Sequence, residues 1–306
     1  MTNSPIRISD TVQAALAAGE PVVALESTIF THGLPRPRNL EVALAGEEVA
    51  RAHGAVPATI GVFRGELVVG LSPDEIAELS RTDGLLKASI RELAYAHVHG
   101  LSAGTTIAAT AFLAHRAGID VFATGGLGGV HHGAATTFDE SADLIALART
   151  SFILVSSGAK AILDIGATLE RFETLSVPVV GYRTLQYPGF YVADSGYTLN
   201  QRVDTPEQAA DLLLTQRALG VPAGINLANP VPLEDQLDTE GFDEILERAW
   251  ADADRDGISG QAITPYLLDY LRVATNGRSL DANVALYRNN IALAAQVSRA
   301  LAERQR

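Results

Sequence analysis

Two lysines stand out among the residues able to do covalent chemistry. The 306-residue chain has 23 basic residues; only Lys87 and Lys160 are lysines, and the rest are arginines. Arginine stays protonated, whereas lysine can lose its proton and attack a carbonyl carbon. A free lysine titrates near ~10.4, so a mostly neutral amine at pH 7 needs a pKa lowered by about 3 or more, worth about 4–5 kcal/mol. Burial or a second cation supplies such a shift. Lys160 follows the small-residue run Ser156-Ser157-Gly158-Ala159, beside which a ligand can pack closely. Lys87 is the second cation if the two meet. Two ordinary ion-pairing lysines are the alternative.

Carboxylates and glycines form the other candidate groups. Glu26 follows the apolar run Val22–Leu25, and Ser27-Thr28 follow it. Asp139 and Asp143 are spaced i, i+4 and would share one face of a helix. Such a pair can hold a hard divalent cation through oxygen, with water completing the shell; helix capping and dipole complementation are the alternative. His97-x-His99 and His131-His132 have no zinc-protease spacing, and His97 and His99 read as surface residues. His131 follows Thr124-Gly125-Gly126-Leu127-Gly128-Gly129 and is a ligand-contact candidate. That glycine run lacks the G-x-G-x-x-G spacing of a dinucleotide fingerprint, and there is no phosphate-loop G-x-x-x-x-G-K-[ST]. It reads as a flexible turn or as a nest of N–H groups for an anion.

The elements that must position these groups alternate short apolar runs with amphipathic stretches, the pattern of an α/β fold. Strands are expected at Val22–Leu25, Val121–Thr124, Phe152–Val155, Val179–Tyr182 and Ala223–Leu227, with a hairpin turning at Arg64-Gly65. Helices are expected from Ser9 or Asp10 to Ala18, over Leu40–Ala52 with Asn39 as cap, and from Pro73. Further helices are expected over Thr105–Arg116, over Lys160–Thr174 and from Pro206 to Leu219 with Thr205 as cap. Phe242–Asp254, Pro265–Thr275 and Asp281–Glu303 complete the series. The segment around Lys87 and Ser89 has no clear assignment. Open α/β sheets bind ligands at the carboxyl ends of their strands, which collects Glu26, Thr124, Ser157–Lys160, Asn226 and Asn229. Neither a repeat nor a linker is visible, so a single domain over residues 1–306 is expected.

Composition narrows the functions. Acidic residues outnumber basic ones, 36 to 23, for a net charge of −13, so nucleic acid is not an expected partner. Without cysteine, disulfides, thiol catalysis and thiolate metal sites are excluded. No secretory leader pattern or apolar run of about 18–20 residues is apparent. A cytoplasmic protein without a membrane partner is expected.

An ordered set of motifs now gives a resemblance. Ala24-Leu25-Glu26-Ser27-Thr28, Lys87-x-Ser89, Gly104-Thr105-Thr106, Thr124-Gly-Gly-Leu-Gly-Gly-Val-His131, Asp139-x-Ser141-Ala142-Asp143-Leu144 and Gly158-Ala159-Lys160 occur in sequence. Ala228-Asn229-Pro230, Thr264-Pro265 and Ser279-Leu280-x-Ala282-Asn283 follow. From about Pro5 to Glu303 the chain resembles the pseudouridine-5′-phosphate glycosidases. The resemblance implies a three-layer α/β/α sandwich with a mixed sheet, a manganese ion and a homotrimer. It implies interconversion of pseudouridine 5′-phosphate and water with uracil and ribose 5-phosphate. Lys160 falls on the imine-forming nucleophile and Glu26 on the proton donor. Asp139 falls on the metal ligand, and Ser141, Ala142 and Asp143 on substrate contacts. Lys87, Thr106 and Ile107 fall on further substrate-binding positions, with Thr124, His131 and Asn283 as pocket neighbours.

The chain departs from that pattern at His132, Phe138, Glu140, Ser156-Ser157 and Gln186-Tyr187-Pro188-Gly189-Phe190, positions expected to shape the pocket for the aglycone. Some members resemble C-glycosynthases that attach ribose 5-phosphate to an aromatic polyketide in antibiotic biosynthesis. Uracil and such a polyketide are therefore the two candidate acceptors. A Schiff-base sugar-phosphate aldolase and a non-catalytic nucleotide-binding module are the readings outside the family.

Overall fold

The computed structural model describes residues 5–238, 241–258 and 262–305. Its strands are β1 (Ile6–Ile8), β2 (Val22–Leu25), β3 (Val56–Phe63), β4 (Glu66–Val69), β5 (Leu86–Ala88), β6 (Ala103–Thr105), β7 (Val121–Ala123), β8 (Ile153–Ser156), β9 (Val179–Tyr182), β10 (Arg202–Val203) and β11 (Ile225–Ala228). Its helices are α1 (Asp10–Ala17), α2 (Arg38–Ala52), α3 (Pro73–Arg81), α4 (Ile90–Val98), α5 (Ile107–Ala117), α6 (Ala134–Thr137), α7 (Ala142–Arg149), α8 (Ile165–Thr174), α9 (Pro206–Ala218), α10 (Phe242–Arg255), α11 (Ile263–Ala274) and α12 (Arg278–Gln305). A π-helical turn, Ile29–Gly33, lies between β2 and α2.

All these strands join one mixed sheet, whose main path runs β1-β4-β3-β2-β7-β8-β11-β9-β10. The second half of β3 also pairs antiparallel with β6, and β5 pairs with β6 alone. The central strands β3-β2-β7-β8-β11-β9 run parallel. Their residues are apolar on both faces because helices cover both. α12, α2 and α9 pack together on one side; α5, with α4 and α7, packs on the other. This is the expected three-layer α/β/α arrangement. α12 spans 28 residues, about 42 Å of helix, and lies against β2, β7 and β8.

Local signals account for most boundaries. Arg64 and Gly65 both have positive φ, 49° and 85°, as the tight turn of the β3–β4 hairpin requires. Ser72 and Glu75 form a capping box ahead of α3, and Thr205 caps α9 with Pro206 in its first turn. Three expectations are corrected. Asn39 does not cap α2: it is buried inside the first turn and donates to the carbonyls of Phe30 and Ser80. The helix expected from Thr105 starts at Ile107, because Ala103–Thr105 is taken up by β6 and Thr106 is the cap. The helix expected from Lys160 starts at Ile165 with Asp164 as cap, because Ala159 and Asp164 bridge to Leu127 and Val130 instead.

Candidate active site

The parallel strands deliver Glu26, Thr124 and Ser157 to the same end of the sheet. Glu26 leaves β2 straight into the π-helical turn and is only 5% exposed. Thr28 and Thr124 donate their hydroxyls to its two carboxylate oxygens. Burial pushes the Glu26 carboxyl above its ordinary value, against the charge of Lys160 and these two hydroxyls. A carboxyl poised in this way can hold a proton and pass it on.

The glycine run is a packed segment, which corrects the reading as a flexible turn. Ser157 N–H donates to the Gly125 carbonyl at 2.8 Å, Leu127 N–H to that of Gly158 at 3.0 Å, and Lys160 N–H to that of Leu127 at 3.0 Å. A Cβ on Gly126 would sit 2.4 Å from the Phe190 ring, and one on Gly129 2.3 Å from Thr168 Oγ1. Gly158 adopts φ +79° and passes under Pro188, where a Cβ would meet the carbonyl oxygen at 2.4 Å. Tyr187 Oη accepts from Ala159 N–H at 2.8 Å. The backbone that carries Lys160 is thereby fixed on both sides.

Lys160 and Glu26 line one cavity with Thr28, His32, Lys87 and Asn283. Phe190 and the α11 residues Thr264, Pro265 and Leu268 form other parts of its wall. The cavity encloses about 540 Å³, part of it open to solvent. Lys87 sits at the middle of β5, and burial, then the charge of Lys160, holds its ammonium below the ordinary lysine value. Arginine supplies the cation of every ion pair found among the described residues. Both lysines line the cavity instead, and the charge of Lys160 acts on Lys87.

A second cluster forms where α5 and α7 begin. Asp143 is buried; its Oδ1 accepts from Ala108 N–H and its Oδ2 from Gly128 N–H, each at 2.9 Å. It therefore ties the start of α5 to the glycine run. Ser141 caps α7, Ala142 is its exposed first residue, and Thr106 caps α5 ahead of the buried Ile107. Thr106 N–H donates to the Ala88 carbonyl at 2.9 Å, which sets this cluster beside β5.

Asp139 and Asp143 do not share a helical face, because α7 starts between them with Ser141 as its cap. Asp139 lies in the preceding loop, where its carbonyl accepts from His131 N–H at 3.1 Å. His131 Nδ1 is buried without a hydrogen-bond partner. Burial holds the His131 ring below its usual value; Asp139 works against that shift and Lys160 with it. Among the described residues no three His, Asp or Glu side chains gather around a metal position. The Asp139 carboxylate is a hard oxygen donor of the kind that suits a cation keeping most of its water. His97 and His99 are exposed as expected, with His97 Nδ1 against the Gly65 carbonyl at 2.8 Å.

Of the departing positions, Phe190 lines the cavity. Phe138 is 85% exposed, His132 packs edge-on against Trp250, and Glu140 pairs with Arg171. Ser156 and Ser157 bond inward to Asn226 and Asn229. The sequence does not single out Ile29, His32, Gly33 or Leu268 of the cavity wall, nor Asn290 behind it. Asn290 is fully buried on α12 and donates to the carbonyls of Thr124 and Gly125, and to Ser157 Oγ. Its one signal is a polar residue at a core position of an apolar helix face.

The fold is that of an α/β enzyme, and its cavity brings a lysine and a buried carboxylate together. The chain belongs to the indigoidine synthase A-like family, whose model matches residues 11–300, and to the pseudouridine-5′-phosphate glycosidases within it. It is 59% identical over 295 residues to the pseudouridine-5′-phosphate glycosidase of Saccharopolyspora erythraea, covering 96% of this chain and 97% of the relative. It is 50% identical over 302 residues to pseudouridine-5′-phosphate glycosidase 2 of Rhizobium johnstonii, covering 99% and 98%. The prealnumycin C-glycosynthase AlnA, solved with ribulose 5-phosphate, superposes with a TM-score of 0.92 at 37% identity, covering 99% of both chains. An indigoidine synthase A-like protein of Thermotoga maritima superposes with a TM-score of 0.88 at 36% identity, covering 97% and 96%.

Proposed function

We propose that this enzyme makes and breaks the C–C bond between C1′ of ribose 5-phosphate and an aromatic ring, with Lys160 as nucleophile and Glu26 as proton donor. The observation that carries the proposal is their meeting in one cavity, where Lys160 has no ion pair among the described residues and the Glu26 carboxyl is pushed up by burial. In the synthetic direction the Lys160 amine condenses with the open-chain aldehyde, giving an imine at C1′ and releasing water. C5 of uracil attacks C1′ and loses its proton; the sugar 4-hydroxyl then closes on C1′ and displaces the lysine nitrogen. Glu26 carries the protons of these steps. The sum is ribose 5-phosphate plus uracil giving pseudouridine 5′-phosphate plus water, and the reverse is the glycosidase direction. An N- or O-glycoside leaves once its heteroatom is protonated; a carbon leaving group needs the iminium that lysine supplies.

The anion has cations and helix ends to meet. Lys87 receives the phosphate with N–H groups at the starts of α5 and α7, near Thr106, Ile107 and Ser141–Asp143. Asn283, Thr124 and His131 border the sugar and base. One Mn²⁺ on Asp139, with water completing its shell, would organise water and polar groups at the cavity edge. The active form is a homotrimer in the cytoplasm. Among the described residues no helix is long and apolar enough to cross a membrane.

Uracil is the first acceptor, supported by the identity to the glycosidases. A larger aromatic acceptor is the second, supported by the superposition on AlnA and by Phe190 in the cavity wall. Incubation with ribose 5-phosphate and either uracil or a naphthol separates them by the C-riboside formed. Borohydride with ribose 5-phosphate should add one sugar-phosphate mass to Lys160. An adduct on Lys87 alone, or none, would overturn the mechanism.

A further inference from the structure

His32 lines the cavity that holds Glu26, Lys87 and Lys160. Its Nδ1 is 2.7 Å from Thr31 Oγ1, and its Nε2 is 3.1 Å from the carbonyl of Leu85. Thr31 Oγ1 in turn lies 2.9 Å from the carbonyl of Ser27, the residue after Glu26. Leu85 immediately precedes β5, which carries Lys87. A chain of contacts therefore runs from the Glu26 turn through Thr31 and His32 to the Lys87 strand. Its packing is close: a Cβ on Gly104 of β6 would lie 2.1 Å from Thr31 Oγ1 and 3.3 Å from His32 Nδ1.

β5 has reason to need such a tether. It is three residues long and pairs with β6 alone, so the sheet holds it from one side only. A short edge strand is the part of a sheet that opens most readily. A carbonyl only accepts, so the Leu85 bond fixes a proton on Nε2. Thr31 has one hydroxyl proton to divide between the Ser27 carbonyl and Nδ1; the neutral ring keeps its Leu85 bond in either case and accepts from Thr31 when that proton turns to Nδ1. Burial and the nearby Lys87 hold His32 below its usual value, which keeps that neutral form.

We infer that His32 is a positioning residue: its Nε2–H bond to the Leu85 carbonyl holds the β5 strand so that Lys87 faces the sugar phosphate at a set distance from Glu26. The inference rests on the ribose 5-phosphate reading above, with Lys87 at the phosphate. It assigns His32 to substrate binding and leaves the covalent step to Lys160.

The test measures borohydride trapping on Lys160 as a function of ribose 5-phosphate concentration, for the wild type and for His32→Gln, His32→Asn and His32→Ala. Glutamine places an N–H close to the Nε2 position, whereas asparagine mimics Nδ1 and loses the Leu85 bond. Half-saturation should rise about tenfold for Asn and Ala and by less than about threefold for Gln, with the same trapped fraction at saturation for all. The half-saturation concentration is read on folded molecules alone, so partial misfolding lowers the plateau without moving it. Equal half-saturation in all four proteins, or Asn as good as Gln, would overturn the tether. A wild type that traps no ribose 5-phosphate overturns the proposed function, and the inference with it.

Discussion

Thr124 donates its hydroxyl to one oxygen of Glu26 from 98 positions further along the chain. The bond joins the ends of the adjacent strands β2 and β7. It also opposes the burial that pushes the Glu26 carboxyl up. Thr124→Val removes the donor while keeping the shape, so Glu26 should hold its proton to higher pH. The high-pH limb of the rate profile should move upward, with kcat reduced about tenfold. A limb that stays in place would show that Glu26 does not set it.

Lys160→Arg keeps the charge and cannot form an imine. Turnover should fall by about a thousandfold or more, with borohydride trapping abolished and the melting temperature little changed. Retained trapping on another residue would be decisive against Lys160.

Gly126→Ala places a methyl group 2.4 Å from the Phe190 ring. Phe190 must then move into the cavity, so KM for the aromatic acceptor should rise and stability should drop by about 1–3 kcal/mol. The double variant with Phe190→Ala should recover part of the binding loss. An unchanged KM in the single variant would mean that Phe190 does not border the acceptor.

Burial and Lys160 hold Lys87 below the ordinary lysine value of 10.5. The folded chain therefore releases this proton before the unfolded chain does. Between the two values the unfolded state binds more protons, and stability rises with pH. Below both values the charged Lys87 costs stability in full. Lys87→Met should thus raise Tm by a few degrees at pH 7, and the gain should shrink toward pH 10. A lower Tm at pH 7 would show that attraction to Glu26 and Asp143 outweighs burial.

Asp139→Asn tests the proposed manganese position by removing its carboxylate. Bound Mn²⁺, counted by elemental analysis after dialysis, should fall from about one per chain to near zero. Full retention would place the ion elsewhere.

The sequence carried the site best where a residue type and a strand end coincide. Glu26 and Thr124 each follow an apolar run directly and Lys160 comes just beyond β8, and parallel strands bring such positions to one edge whatever the loops do. Legibility failed where tertiary pairing overrode local signals. Residues 160–164 read as helix, yet Lys160 and Asp164 bond to the segment 127–130 and the helix waits for Asp164 as its cap. β1, β5 and β10 have only two or three residues each, too few to show a period. Asp139 and Asp143 matched a helical spacing that the Ser141 cap interrupts. His32 gave no signal, because its role depends on Leu85, 53 residues away.

The two lysines that share the cavity carry the only side-chain primary amines of this chain. Amine-directed reagents that label the surface of most proteins will find arginine there instead. An acylating ester or a pyridoxal derivative would act on this enzyme as an affinity label, with its reaction concentrated inside the pocket. The arginine-rich exterior thus leaves the protein open to amine-directed tagging or covalent inhibitor screening at its own centre without any engineering of the sequence.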